Sequence, residues 1–366
     1  MNNHLFWTIL ITVFAGATSA SALLRAARAD DFQWDQNDES ITLYDGDKVV
    51  FTYWYAFVDH APAVPENEAR RFAGCYIHPL NGLDGEPLTE DAPKDHYHHH
   101  GVFWTWPGVF VHEPDGKTRQ YDLWTSNTKI RQRFVKFHKI DLERDGARLV
   151  VENGWYVDGE ATTPDAKLDP TKTGEAIAEN EKFYGEKIME ELVDITVRPM
   201  EKIDGKRTRA IDLTVTLTPT NKPVSLQGAE HKSYGGLTIR FRPTGAIRTD
   251  RFITTDEGVA KDDMPEKRLR WADYASRFGA IDAATGNADA LSGAAIFLAP
   301  SFPDFPPTWL TRYYGPLCLG YPGVDAQRFA PGEKIVMPTR IWIHDGLVAP
   351  EKLKDVYETW SKSQTK

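Results

Sequence analysis

Residues 41–55 read Ile-Thr-Leu-Tyr-Asp-Gly-Asp-Lys-Val-Val-Phe-Thr-Tyr-Trp-Tyr, two β-type runs at 41–44 and 49–55 on either side of an Asp45-Gly46 turn. An Asp-Gly pair between such runs is a strong short-range hairpin signal. The same grammar continues along the chain: β-type runs recur at 74–78, 133–140, 148–157, 193–198, 210–218, 236–242, 294–298 and 335–344, most of them ending near Gly, Pro or Asn. Strands do not alternate with helices and no glycine-rich phosphate loop occurs, which argues against a doubly wound nucleotide-binding fold. The expectation is an all-β protein: one large, twisted antiparallel β-sandwich of the supersandwich type with a short C-terminal helix. That helix follows Pro350, where Leu353, Val356, Tyr357 and Trp360 fall at i, i+3, i+4 and i+7. This spacing puts Trp360 on a packing face.

The 366 residues are 41% hydrophobic and 26% charged and include 11 Trp, which excludes a disordered or collagen-like chain. Residues 5–16 form an apolar run, shorter than the roughly 20 residues of a membrane span and followed by small residues. Residues 1–29 therefore read as a signal peptide cleaved after Ala27-Arg28-Ala29, and residues 30–366 as a single secreted or periplasmic domain without a membrane span. The mature chain keeps 41 basic residues against 53 acidic ones, since Arg25 and Arg28 leave with the leader. No basic stripe marks a nucleic-acid partner. Residues 158–186 are polar and interrupt the strands as a long loop or flap. Cys75 and Cys318 fit either one disulfide or two buried thiols.

The densest chemical signal is Asp95-His96-Tyr97-His98-His99-His100-Gly101, continuing into Val102-Phe103-Trp104-Thr105-Trp106. If extended, this stretch puts His96, His98, His100, Trp104 and Trp106 on one face. Imidazoles exchange protons with hydroxyls near neutral pH, and indoles stack on the C–H face of a sugar ring. His98 and His99 are the base and acid candidates, with His231 as a third participant. The pair faces apart in a regular strand, so a loop or bulge is required there. Trp104, Trp106 and Trp309 form the expected sugar platform. His78, His96, His100, Arg240, Arg312 and Tyr313 are the expected substrate contacts. No cofactor is expected. A divalent metal is the fallback, held by His96, His98 and His100 with His78, Glu230 or His231 adding a ligand. The Arg270-Trp271-Ala272-Asp273 segment reads as a structural Arg–carboxylate pair.

Tyr76-Ile77-His78-Pro79-Leu80, the His-rich block through Trp104, Tyr234-Gly235-Gly236-Leu237-Thr238-Ile239-Arg240, Ala295-Ile296-Phe297 and Pro306-Pro307-Thr308-Trp309-Leu310-Thr311-Arg312 together resemble the secreted family catalogued as "methane oxygenase PmoA". The resemblance implies a galactose-mutarotase-like β-sandwich and a place among secreted carbohydrate-utilisation proteins. Methane oxidation carries little weight, because the membrane-embedded oxygenase subunits share no span with this chain. One departure is that His100 stands where that family usually carries Arg.

The function expected is therefore a secreted carbohydrate-active enzyme whose histidines move protons on a sugar ring, as a lyase, epimerase or glycosidase. A glycosidase needs two placed carboxylates, and no such pair stands out, which favours the first two. The alternatives are a non-catalytic glycan-binding protein and a metal-dependent oxygenase or hydrolase.

Overall fold

A computed structural model describes residues 31–365 apart from 62, 66–71, 126–128, 160–183, 245, 248 and 280–290. The expected signal peptide lies outside the described residues, as does most of the expected flap.

The hairpin that opened the reading forms as Ser40–Asp45 and Lys48–Trp54, with Gly46 at φ 62° in the two-residue turn. It belongs to a nine-stranded antiparallel sheet. Across that sheet the order is Phe32–Gln36, Ser40–Asp45, Lys48–Trp54, Tyr76–Leu80, Val102–Thr105, Gly236–Arg240, Pro316–Gly320, Thr308–Thr311 and Met264–Arg268. A second large sheet is built on the long strands Ile130–Glu143, Gly146–Asp158, Gly185–Val197, Lys206–Pro219 and Ile335–Asp345. The two sheets pack face to face as a β-sandwich. Side chains alternate across each strand, so every second residue enters the shared core. In Lys206–Pro219 those are Ile211, Leu213, Val215 and Leu217; in the first sheet they include Val102, Trp104, Ile239, Leu317 and Leu319. Trp106 meets Trp155 of the second sheet, with ring centroids 5.4 Å apart.

This parity corrects the expected sugar platform. Trp104, Trp106 and Trp309 lie in the inter-sheet core, each at most 1% exposed. Nε1 of Trp106 donates to the Tyr321 carbonyl at 2.7 Å, and that of Trp309 to the Leu269 carbonyl at 2.8 Å. These two buried indoles thus satisfy their N–H groups, which would be costly to leave unpaired. The three indoles hold the sandwich together and offer no face to a ligand.

Each sheet also has an outer face. On the second sheet Trp271, Phe297 and Trp342 point outward and are covered by Leu353, Tyr357 and Trp360 of the C-terminal helix, Pro350–Ser363. Burying side chains of this size stabilises the docked helix by roughly 1.5–3 kcal/mol each. On the first sheet the residues of opposite parity, Tyr76, Phe103, Leu310 and Cys318, join Trp124 in a separate cluster. Cys75 and Cys318 are both buried thiols, not joined to each other in a disulfide. Arg270 pairs with Asp256 at 2.9 Å, not with Asp273 as its spacing had led us to expect.

Candidate functional site

The histidine block is a loop, not a strand. Hydrogen bonds from the His96 N–H to the Pro93 carbonyl, from His99 to His96 and from Ala92 to the His99 carbonyl coil it back on itself. A bridge between Asp91 and His100 then closes it onto the outer face of the first sheet. Gly101 turns the chain into the next strand at φ 64°, and an added Cβ there would sit 2.2 Å from the Ile77 carbonyl oxygen. Only glycine meets both demands. Coiling brings together imidazoles that an extended chain would separate. His99 stacks on His96 at 4.7 Å and 13°, and meets His98 edge-on at 4.7 Å.

Two clefts flank this loop, with His98 and Trp124 lining both. The first encloses about 420 Å³, open solvent included, between His96, His98, His99, Tyr234, Tyr314, Arg312 and Lys232. The second, about 430 Å³ on the same measure, is lined by Tyr76, His98, His100, Phe103, Trp124, Arg131 and Gln132. His99 is 3% exposed and its Nδ1 meets no hydrogen-bond partner among the described residues. Burial, reinforced by the neighbouring His98 and Arg240 charges, pushes its pKa well below the usual imidazole range. Burial, helped by the neighbouring Cys318 and Asp95, lifts the Tyr314 hydroxyl to about 12 against the pull of Arg240 and Arg312.

Arg240 reaches the site as a strut. Its Nε donates to Glu90 at 2.6 Å and its Nη2 to both Asp95 oxygens at 3.0 Å, while the guanidinium lies 4.7 Å from the Tyr314 ring centre. Asp95 in turn accepts from Nδ1 of His96 at 2.9 Å. The substrate contact expected of Arg240 is thus replaced by positioning of the loop. Tyr313 also falls elsewhere: its hydroxyl donates to the Ala260 carbonyl at 2.6 Å, and Tyr314 takes its place in the cleft. His231 sits exposed in a turn at φ 62° and lines neither cleft, whereas its neighbour Lys232 does. Arg312 lines the first cleft as expected.

Behind the second cleft lies a group no local signal revealed. Asp91 accepts from Nδ1 of His100 at 2.7 Å on one oxygen, and from Nε2 of His60 at 2.9 Å and the Tyr76 hydroxyl at 2.7 Å on the other. Burial works to raise the Asp91 pKa, yet the hydrogen bonds from His100 and His60 outweigh it and hold the carboxyl ionised, far below its usual range. Burial lowers His100 despite Asp91, and raises the Tyr76 phenol well above its ordinary value. His78 lies beside this group with Nδ1 3.1 Å from the Thr89 hydroxyl, and burial lowers its pKa too. Among the described residues, His60, Asp91 and His100 bring ligand atoms within 4.8 Å of one another. The expected metal set of His96, His98 and His100 does not assemble.

Solved structures include a polysaccharide lyase that matches with 9% identity and a TM-score of 0.28, covering 87% of this chain and 33% of its own. The chain thus spans about a third of that structure's length, and a likeness this distant has no bearing on activity. No curated protein matches. A family model does match, over residues 40–358, and the chain accordingly belongs to the Family of unknown function (DUF6807).

Proposed function

We propose that this protein is a carbohydrate-active enzyme working outside the cytoplasm, in which His98 and His99 exchange protons with a sugar held against the outer face of the first sheet. The observation that carries the reading is the buried His99 imidazole, whose Nδ1 has no partner among the described residues although it borders a cleft of about 420 Å³. A buried polar atom left unpaired costs about 1–3 kcal/mol, and a ligand hydroxyl in the cleft would remove that cost. The rest of the lining suits the same ligand. The half-buried rings of Tyr234 and Tyr314 add apolar edges, while Arg312 and Lys232 offer donors for hydroxyls or a carboxylate. The motifs' resemblance to the secreted "methane oxygenase PmoA" family, which implies a place among carbohydrate-utilisation proteins, agrees with this chemistry. Lyase or epimerase action is preferred, because the first cleft is lined by imidazoles and cations and by no carboxylate pair.

The test uses a glycan array followed by turnover assays on the glycans bound, reading new reducing ends, unsaturated products and epimers. The wild-type chain should bind and convert a glycan, and His98→Gln and His99→Gln should lower turnover by about 10²–10⁴-fold while the circular dichroism stays unchanged. Binding without conversion would make the protein a glycan-binding module, and binding of no glycan would remove the carbohydrate.

A further inference from the structure

We propose that His60, Asp91 and His100 form a binding site for one divalent transition-metal ion of the zinc class, facing the second cleft. The inference rests on and deepens the carbohydrate reading by giving a Lewis acid to the second cleft, which shares His98 with the first. The grounds for the ion itself are separate. Asp91 is a largely buried carboxylate, and among the described residues its ion-pair partners are the imidazoles of His60 and His100, with no Lys or Arg. A buried negative charge without a fixed cation is expensive. A bound cation would balance it.

The donor set is the right one. Two imidazole nitrogens and a carboxylate oxygen lie within 4.8 Å of one another, and two imidazoles with one carboxylate are a recurrent set for borderline divalent ions, leaving further positions for water or substrate. The support behind the ligands is also present. The Tyr76 hydroxyl donates to Asp91 at 2.7 Å, as the carboxylates of metal sites commonly require to hold their orientation. The ligands come from separate parts of the chain: His60 from the segment after Val58–Asp59, and Asp91 and His100 from the two ends of the coiled loop. His100 and Tyr76 line the second cleft, so an ion at this point would be reachable by a substrate oxygen. Polarising that oxygen would assist proton removal from the neighbouring carbon.

The full-length protein should be stripped with chelator, dialysed and loaded separately with zinc, manganese and calcium chlorides, and its metal content then measured by elemental analysis. The expected result is about one zinc per chain, little calcium and a raised melting temperature with zinc. Asp91→Asn and His60→Gln should lose the ion. Tyr76→Phe should weaken it by about 10–100-fold, and His99→Gln should retain it. Cobalt(II) loaded into the wild-type chain supplies a readout independent of any variant: intense visible d–d absorption is expected. A spectrum like that of the hydrated ion, together with no stoichiometric zinc, would overturn the proposal. So would undiminished binding in a folded Asp91→Asn protein. Chelator-resistant glycan turnover that still depends on His98 and His99 would sink the metal and leave the carbohydrate reading standing; stoichiometric zinc with no glycan bound would do the reverse.

Discussion

Both outer faces of the sandwich are aromatic and both bury a histidine beside an aspartate, yet they end in opposite states. On the helix-covered face, Nε2 of His344 lies 2.9 Å from Asp273 and Nδ1 lies 2.9 Å from the Gly346 carbonyl oxygen, so both ring nitrogens are engaged. His344 is fully buried, and the helix seals the surrounding Trp271, Phe297, Trp342 and Trp360. On the opposite face the Tyr76, Phe103 and Trp124 cluster is bordered by two clefts, and Nδ1 of His99 is left without a partner among the described residues. Residue types do not separate His344 from His99; the partners of their ring nitrogens do.

The contrast can be broken most directly on the helix-covered face. Trp360→Ala should cost about 3–5 kcal/mol and release the helix, read by a gain in protease cleavage near the C-terminus. Asp273→Ala leaves Nε2 of His344 buried without its hydrogen-bond partner and should destabilise the fold by about 1–3 kcal/mol in equilibrium urea unfolding. Should it cost no more than an exposed substitution, the helix-covered pair is not structural. Tyr234→Ala, by comparison, removes a half-buried ring tilted 42° against Trp124 with centroids 4.6 Å apart and should cost about 0.5–1.5 kcal/mol, with a larger effect on the glycan affinity proposed for the first cleft.

A smaller, pH-dependent effect separates the core from both faces. Glu191 is fully buried and accepts from Gln132 at 2.8 Å, Asn153 at 2.8 Å and Trp155 at 2.7 Å. Burial nevertheless raises its pKa above the ordinary 4.5. The folded state therefore binds more proton than the unfolded chain above pH 4.5. The resulting stability is complete below that pH and is lost as pH rises through the folded-state value, at no more than about 1.4 kcal/mol per unit. Urea unfolding across this window should show the decline in the wild type and a flatter profile in Glu191→Gln; parallel profiles would remove Glu191 as its source. Smallest of all, Cys318, pushed by burial to about 12, should react with a thiol reagent only as the protein unfolds. Rapid native-state labelling would contradict its sealed position.

Much of the fold was legible because its signals are local. The Asp45-Gly46 hairpin, the β-type runs and the i, i+3, i+4, i+7 stripe ending at Trp360 each need only neighbours in sequence, and each appears in the structure. The candidate site was legible only as a cluster of histidines. Treating 96–106 as one extended stretch placed Trp104 beside the imidazoles, whereas the chain coils up to His100 and becomes a strand only at Val102. Phe103, not Trp104, then shares their side of the sheet. His60 and Asp91 carried no signal, because a lone histidine and a lone aspartate 31 positions apart acquire meaning only when two segments meet.

The sequence by itself determined the antiparallel β class, the packed terminal helix and the stretch in which the histidines gather, since periodicity and turn chemistry are properties of adjacent residues. Only the tertiary structure decided which aromatic rings became core, which imidazoles kept an open nitrogen and which carboxylate they surround. Those outcomes depend on side-chain parity across sheets and on contacts between distant segments, where burial makes each unpaired polar atom or charge costly.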